Sequence, residues 1–208
     1  MPSRDHILHK VRLALGRNAG QPPSEAPPPR LRLPELDQEH RIRQLLERFP
    51  GRALRAALPA EAREYIAALI AGRSAVASDS PLLEQLGILS LPEIGVACGD
   101  PASIREACAR ADIGITTAEY ALADTGALVV LASGRQPRLL SLLPLVHITV
   151  LPGACILTGL DELLTLLPDP AALSSSMVLI GGPSRTADIE QILTLGVHGP
   201  RELHLVVV

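Results

Sequence analysis

The chain has 208 residues, which suits one globular domain with an N-terminal extension; 47% are hydrophobic, yet Phe49, Tyr65 and Tyr120 are the only aromatics, so the core is expected to be aliphatic and a platform for stacked bases is not. A net charge of −3, from 19 basic and 22 acidic residues, gives no electrostatic case for nucleic acid or an anionic membrane. Lys10 is the single lysine, which excludes a P-loop and argues against Schiff-base chemistry, and Cys98, Cys108 and Cys155 contain no CxxC pair, so a four-thiolate iron–sulfur cluster cannot be built and reduced, buried thiols of a cytoplasmic protein are expected.

Ile7, Leu8, Val11, Leu13 and Leu15 predict a short amphipathic helix within residues 1–16, with Asp5 near its start and Gly16 near its end. The charges spread through MPSRDHILHKVRLALG break the apolar run that a signal peptide needs. QPPSEAPPPR, Gln21 to Arg30, holds five prolines in ten residues and can be neither helix nor central strand, so residues 17–34 read as a linker. The first helix is then tethered to a main domain, residues 35–208, and either docks on a partner or a second copy of the chain, or frays in solvent.

A second helix is expected over Leu36 to Phe49, and a third over PAEAREYIAALIAG, with Pro59 in its first turn and Gly72 at its end. RSAVAS then reads as a strand, SPLLEQLG as a helix capped by Ser80, and PASIREACAR as another helix. ADIGITTA, GALVVLAS, VHITVLP, SMVLIGG and ELHLVVV read as further strands. Their continuous apolar character suits strands buried on both faces, and helices lie between most of them. The expected class is therefore α/β, a mostly parallel sheet flanked by helices with an N-terminal helical extension. ADIGITTA and GALVVLAS are too close for a crossover helix, so an antiparallel hairpin or a tight β-corner is expected there. Leu139 to Leu160 carries no Asp, Glu, Lys or Arg, but Pro144, His147, Pro152 and Gly153 interrupt it; it reads as a loop and a buried strand, not a membrane span.

In open α/β sheets ligands bind beyond the carboxyl ends of the strands, so the residues that follow each strand are the candidates for chemistry. Glu119 and Asp124 are acids in apolar surroundings, where a raised pKa suits a general base or nucleophile; Asp124-Thr125-Gly126 is also good turn chemistry. Arg135 and Arg138 follow a buried strand and either can hold a carboxylate or phosphate, while His147, opening the next strand, is a candidate acid, base or structural residue. In GGPSRTADIE, Gly181 to Glu190, Ser184 or Thr186 can cap a helix expected to begin near Ala187, and Arg185 adds charge where free N–H groups attract anions. A cap needs only one hydroxyl, so the surplus favours an anion site at Ser184, Arg185 and Thr186. His198 and Arg201, in GVHGPREL, lie in a loop expected to enter the last strand at its amino end, and suit a site or an interface equally. His147, His198 and His204 form no HxH or HxxxH pair and a GxGxxG fingerprint is missing, so neither a metal site nor a nicotinamide site is expected.

ITTAEYALADTG, RLLSLLPLVHI and GGPSRTADIEQILTLGVHGPREL, in that order, resemble the signatures of the lactate utilization protein C family, which carries the LUD domain. The resemblance covers roughly Arg73 to Val208, and only loosely the N-terminal third. It implies a fold similar to the sugar-phosphate isomerase and CoA-transferase type of α/β domain. It also implies a part in oxidising L-lactate to pyruvate alongside two partner proteins that carry the iron–sulfur clusters, with no cluster in this chain. Glu119, Asp124, Arg138, His147, Ser184, Arg185, Thr186 and His198 fall on the motif positions without an assigned role. The expectation is a small anionic ligand near Arg138 and Ser184 to Thr186. The alternatives are a CoA-transferase-like or isomerase-like enzyme using Glu119 or Asp124, and a non-catalytic scaffold.

Overall fold

The computed structural model describes residues 4–14, 16, 36–187 and 193–208, with side chains left out of account at 185–187 and 193–195. The expected linker at 17–34 lies outside these residues. The chain opens with α1 (Arg4–Ala14), which buries none of its side chains. α2 (Gln38–Glu47) begins where the Asp37 carboxylate accepts the His40 N–H at 2.9 Å. β1 (Ala53–Arg55) follows, then α3 (Pro59–Ile70), whose opening proline lacks only an N–H that a first turn leaves unpaired anyway. β2 (Ala75–Ala77), α4 (Pro81–Gln85) and β3 (Ile94–Val96) come next, and α5 (Pro101–Arg110) is capped by Asp100, which accepts from Ala102 and Ser103. Ser80 stands at the N-cap of α4 but makes no side-chain cap bond. β4 (Ile113–Thr117), β5 (Tyr120–Leu122) and β6 (Ala127–Leu131) lead through a 3-10 turn at Arg138–Ser141 into β7 (Val146–Leu151). β8 (Ile156–Leu157), α6 (Leu160–Leu166), β9 (Met177–Ile180), β10 (Arg185–Ala187), β11 (Leu193–Leu195) and β12 (Glu202–Val207) complete the elements.

Six strands form an all-parallel sheet in the order β1-β12-β7-β4-β2-β3. A second sheet, β8-β5-β6-β9, mixes parallel and antiparallel pairs, and β10 and β11 make a separate antiparallel pair. The α/β class with a mostly parallel sheet flanked by helices is therefore observed. The chain turns a corner at Ala118 and Glu119, leaving the parallel sheet after β4 and entering the second sheet at β5, where β5 and β6 form the hairpin.

Every residue of β7 is buried, because both faces of the parallel sheet are covered. On one face Val146, Ile148 and Val150 pack with Ile113, Ile115 and Val206 against Ala62, Ile66 and Ile70 of α3. On the other, Leu203, Leu205, Val207 and Leu151 meet Ile42 and Leu45 of α2 and the inner residues of the second sheet, including Ala121, Leu128 and Val130. Leu122, Val129 and Leu157 point away from that layer toward Leu163 of α6. The period-2 alternation of each strand thus assigns its residues to separate layers.

Two expectations are overturned. Among the described residues no helix begins near Ala187: residues 185–187 are β10, paired antiparallel with β11 in the register Arg185↔Leu195 and Ala187↔Leu193. Gly196, which the sequence also offers as the end of that helix, instead follows β11. The helical reading of this stretch rested on hydroxyl and glycine punctuation, which serves a hairpin base equally well. β1, β3, β5, β8 and α6 were not expected from the sequence; the four strands are two or three residues long, too short for their alternation to register.

Candidate functional site

The parallel sheet has two edges, and the expected site residues divide between them. At the carboxyl edge Glu119 stands just beyond β4, after Ala118. It is half-buried, and burial raises its carboxyl pKa, partly opposed by the Leu131 N–H that donates to Oε2 at 2.8 Å. Among the described residues Oε1 has no hydrogen-bond partner. Cys155 lies beside it, and its thiol is pushed up first by burial and then by the Glu119 carboxylate, so it stays protonated. Beside them the Thr117 N–H and hydroxyl both donate to Gln136 Oε1 at 2.9 Å. A carboxyl fixed through one oxygen, with the other free, can take or deliver a proton or accept a donor from a ligand.

The other candidates of the loop after β6 are placed differently. Arg135 pairs with Asp79 at 2.9 Å on the surface, so its charge is already partnered. Arg138 is exposed at the start of the 3-10 turn. That turn lies on β4: a Cβ added at Gly114 would stand 2.0 Å from the Leu140 carbonyl oxygen.

His147 lies in the sheet interior. Its Nε2 sits 2.8 Å from Thr116 Oγ1 and 3.2 Å from Thr149 Oγ1, while Nδ1 is buried without a partner. Burial pushes its pKa down to about 3, so the ring is neutral at ordinary pH. A catalytic role would require a ligand to reach between the layers.

The amino edge gathers the rest. Asp124 sits in the β5–β6 turn, its N–H donating to Thr158 and its Oδ1 buried without a partner. Ser184 is already engaged: its N–H donates to Pro200, its carbonyl accepts from Gly196, and its hydroxyl accepts from the His198 N–H at 3.3 Å. These bonds tie the base of the β10–β11 pair to the loop before β12, and the stem of Arg201 lies against Gly196. The side chains of Arg185 and Thr186 lie outside the described residues. GGPSRT therefore does not occupy the usual ligand edge. β9, which precedes it, belongs to the second sheet, and the segment meets the amino end of β12. Glu119 and Ser184 are thereby separated by the length of a six-residue strand, about 20 Å.

A cleft of about 710 Å³ opens at this amino edge, lined by Arg48, Phe49, Pro50, Arg52, Gly181, Gly182, Pro183 and Leu203. Little in the local sequence marks its two arginines. Arg48 belonged to an Arg- and Glu-rich helix pattern, and only the turn RFPGR, with arginines on both sides of Pro-Gly, could have drawn notice. Among the described residues no group of three or more His, Cys, Asp or Glu is placed to hold a metal, and no helix is long and apolar enough to cross a membrane.

Comparison with known proteins bears on what these edges serve. Residues 40–208 match the family model described as LUD domain. The protein called "Uncharacterized protein YkgG" from Escherichia coli K12 is 32% identical over 96% of this chain and 95% of its own length. "Lactate utilization protein C" from Halalkalibacterium halodurans is 35% identical over 65% of this chain and 63% of its own, and that from Exiguobacterium sp. is 38% identical over 52% and 49%. The chain thus spans about half to two thirds of the latter two relatives. The crystal structure of a DUF162 family protein from Deinococcus radiodurans superposes with a TM-score of 0.61 at 19% identity, covering 83% of this chain and 99% of that one, which is a likeness of fold. With its family model matched across most of its length and a near-full-length relative above 30% identity, the chain belongs to the LUD domain family.

Proposed function

We propose that this chain is a cytoplasmic subunit of an L-lactate utilization system, contributing to the oxidation of L-lactate to pyruvate with partner proteins that carry the iron–sulfur clusters. The observation that carries the reading is its family membership together with relatives named lactate utilization protein C at 35% and 38% identity. The cysteines are consistent with clusters held elsewhere: three thiols, one exposed, one buried and one half-buried, do not make a four-thiolate set. Glu119 is the group of this chain best placed for proton chemistry, half-buried after β4 with one carboxyl oxygen free of described partners. The same feature favours the second reading, a CoA-transferase-like or isomerase-like enzyme with Glu119 as nucleophile or base. Asp124, in the β5–β6 turn, is the other carboxyl available to that reading.

The test is growth of a deletion strain on L-lactate and on pyruvate, complemented with the wild-type chain or with Glu119→Gln. Loss of growth on lactate alone, restored by wild type, is the expected result. Failure of Glu119→Gln at normal protein level assigns the carboxyl a chemical role, and full rescue by it removes Glu119 from the chemistry. Undiminished growth of the deletion strain on lactate would remove the lactate reading.

A further inference from the structure

We propose that the cleft at the amino edge of the parallel sheet binds a phosphate-bearing ligand, held by Arg48 and Arg52 against the backbone of Gly181 and Gly182. This goes beyond the lactate reading and does not depend on it. The first ground is charge. Among the described residues neither Arg48 nor Arg52 pairs with a carboxylate, and both line the same cleft. Arg48 donates to the Asp124 carbonyl at 2.6 Å, a bond that orients the guanidinium without neutralising it. Its place at the C-cap of α2 complements the helix dipole, which accounts for Arg48 alone. Arg52 lies beyond the helix, its backbone held by bonds from its N–H to Phe49 and from the Leu205 N–H to its carbonyl. No carboxylate is among the described residues lining the cleft.

The second ground is the glycine pair. A Cβ added at Gly181 or Gly182 would meet nothing within 4 Å, and Gly181 does not have a positive φ. Neither packing nor backbone conformation calls for glycine at 181. A side chain there would meet only open space, and its omission leaves the backbone that lines the cleft open to close approach by a ligand. The third ground is size and shape. A cleft of about 710 Å³ floored by the buried Phe49 and Leu203 is in the range of sites for small molecules of coenzyme size, and a three-carbon hydroxy acid would occupy little of it. The chemistry then selects the anion. One guanidinium fork satisfies both oxygens of a carboxylate, whereas two forks match the several oxygens and the higher charge of a phosphate or diphosphate.

Titration calorimetry of the full chain at low ionic strength with pyrophosphate, with adenosine diphosphate and with L-lactate tests this. Pyrophosphate is expected to bind, and Arg52→Gln to weaken it roughly tenfold to a hundredfold, the loss of a charge-assisted contact. Gly181→Ala, which adds a methyl group to the open space, is expected to weaken it as well. Arg110→Gln, on the outer face of α5, leaves it unchanged. Adenosine diphosphate binding tighter than pyrophosphate places an organic body on the apolar floor, and equal binding makes the ligand a free anion; both support the phosphate site. Absence of pyrophosphate binding up to about 10 mM, or equal binding by wild type and a folded Arg52→Gln, overturns the proposal. L-lactate binding as tightly as pyrophosphate overturns the phosphate assignment, whatever the growth experiment shows.

Discussion

At the scale of single residues, burial decides the chemistry of the titratable groups. His147 is held neutral between two threonine hydroxyls, with a pKa of about 3 against about 6.5 for an unfolded histidine. The unfolded chain therefore binds the extra proton between those values, so stability is full above about pH 6.5 and falls as pH drops toward 3. At pH 5 the loss from this group is about 2 kcal/mol. His204, also depressed by burial, adds in the same direction. Urea melts at pH 7.5 and 5 should show this acid loss in the wild type and a shallower one in His147→Gln; an unchanged pH slope in the variant would mean that His147 is not buried neutral. Glu119 has the opposite sign. Its raised pKa means that its charged form costs stability at neutral pH.

Elements are positioned here by close backbone approach as much as by side-chain packing. The 3-10 turn at Arg138–Ser141 rests on Gly114 of β4, and no side chain fits between them. Gly114→Ala is expected to cost about 3 kcal/mol, or roughly 6–12 °C in Tm for a chain of this size, because the contact is backbone to backbone and cannot relax by a rotamer change. A thermal melt within about 1 °C of wild type would show that the turn does not press on the strand. Why the helices were legible and the short strands were not follows from the same scale. PASIREACAR coincides with α5 because Asp100 caps it and Pro101 starts it, both local signals. β10 and β11 exist by pairing with each other, which no local pattern in RTA or LTL announces.

For the whole molecule, the division into layers explains how a helix at the N-terminus can be dispensable to the fold. α1 buries no side chain, and the described body begins at Leu36, whose N–H donates toward Thr158. Deleting residues 1–14 is expected to leave Tm within about 2 °C of the full chain, since α1 buries no side chain. If this chain acts mainly as a scaffold with α1 as its docking element, the same deletion abolishes association with the partner proteins in a pull-down. Retained association would end that reading.

The sequence by itself determined the α/β class, the strands buried on both faces, the capped helices and the family, because periodicity, caps and long motifs are local properties of the chain. Which edge of the sheet each motif reaches was decided only in three dimensions. GGPSRT follows an apolar strand as an anion loop should, but β9 belongs to the second sheet, and the base of the β10–β11 pair lies beside the amino end of β12. The same corner at Ala118 and Glu119 that opens the second sheet sends Glu119 to one edge and Asp124 to the other, five residues on in sequence. Arg48 and Arg52 became neighbours of Gly181 and Gly182 through packing across more than a hundred residues, a relation set by how layers cover apolar faces.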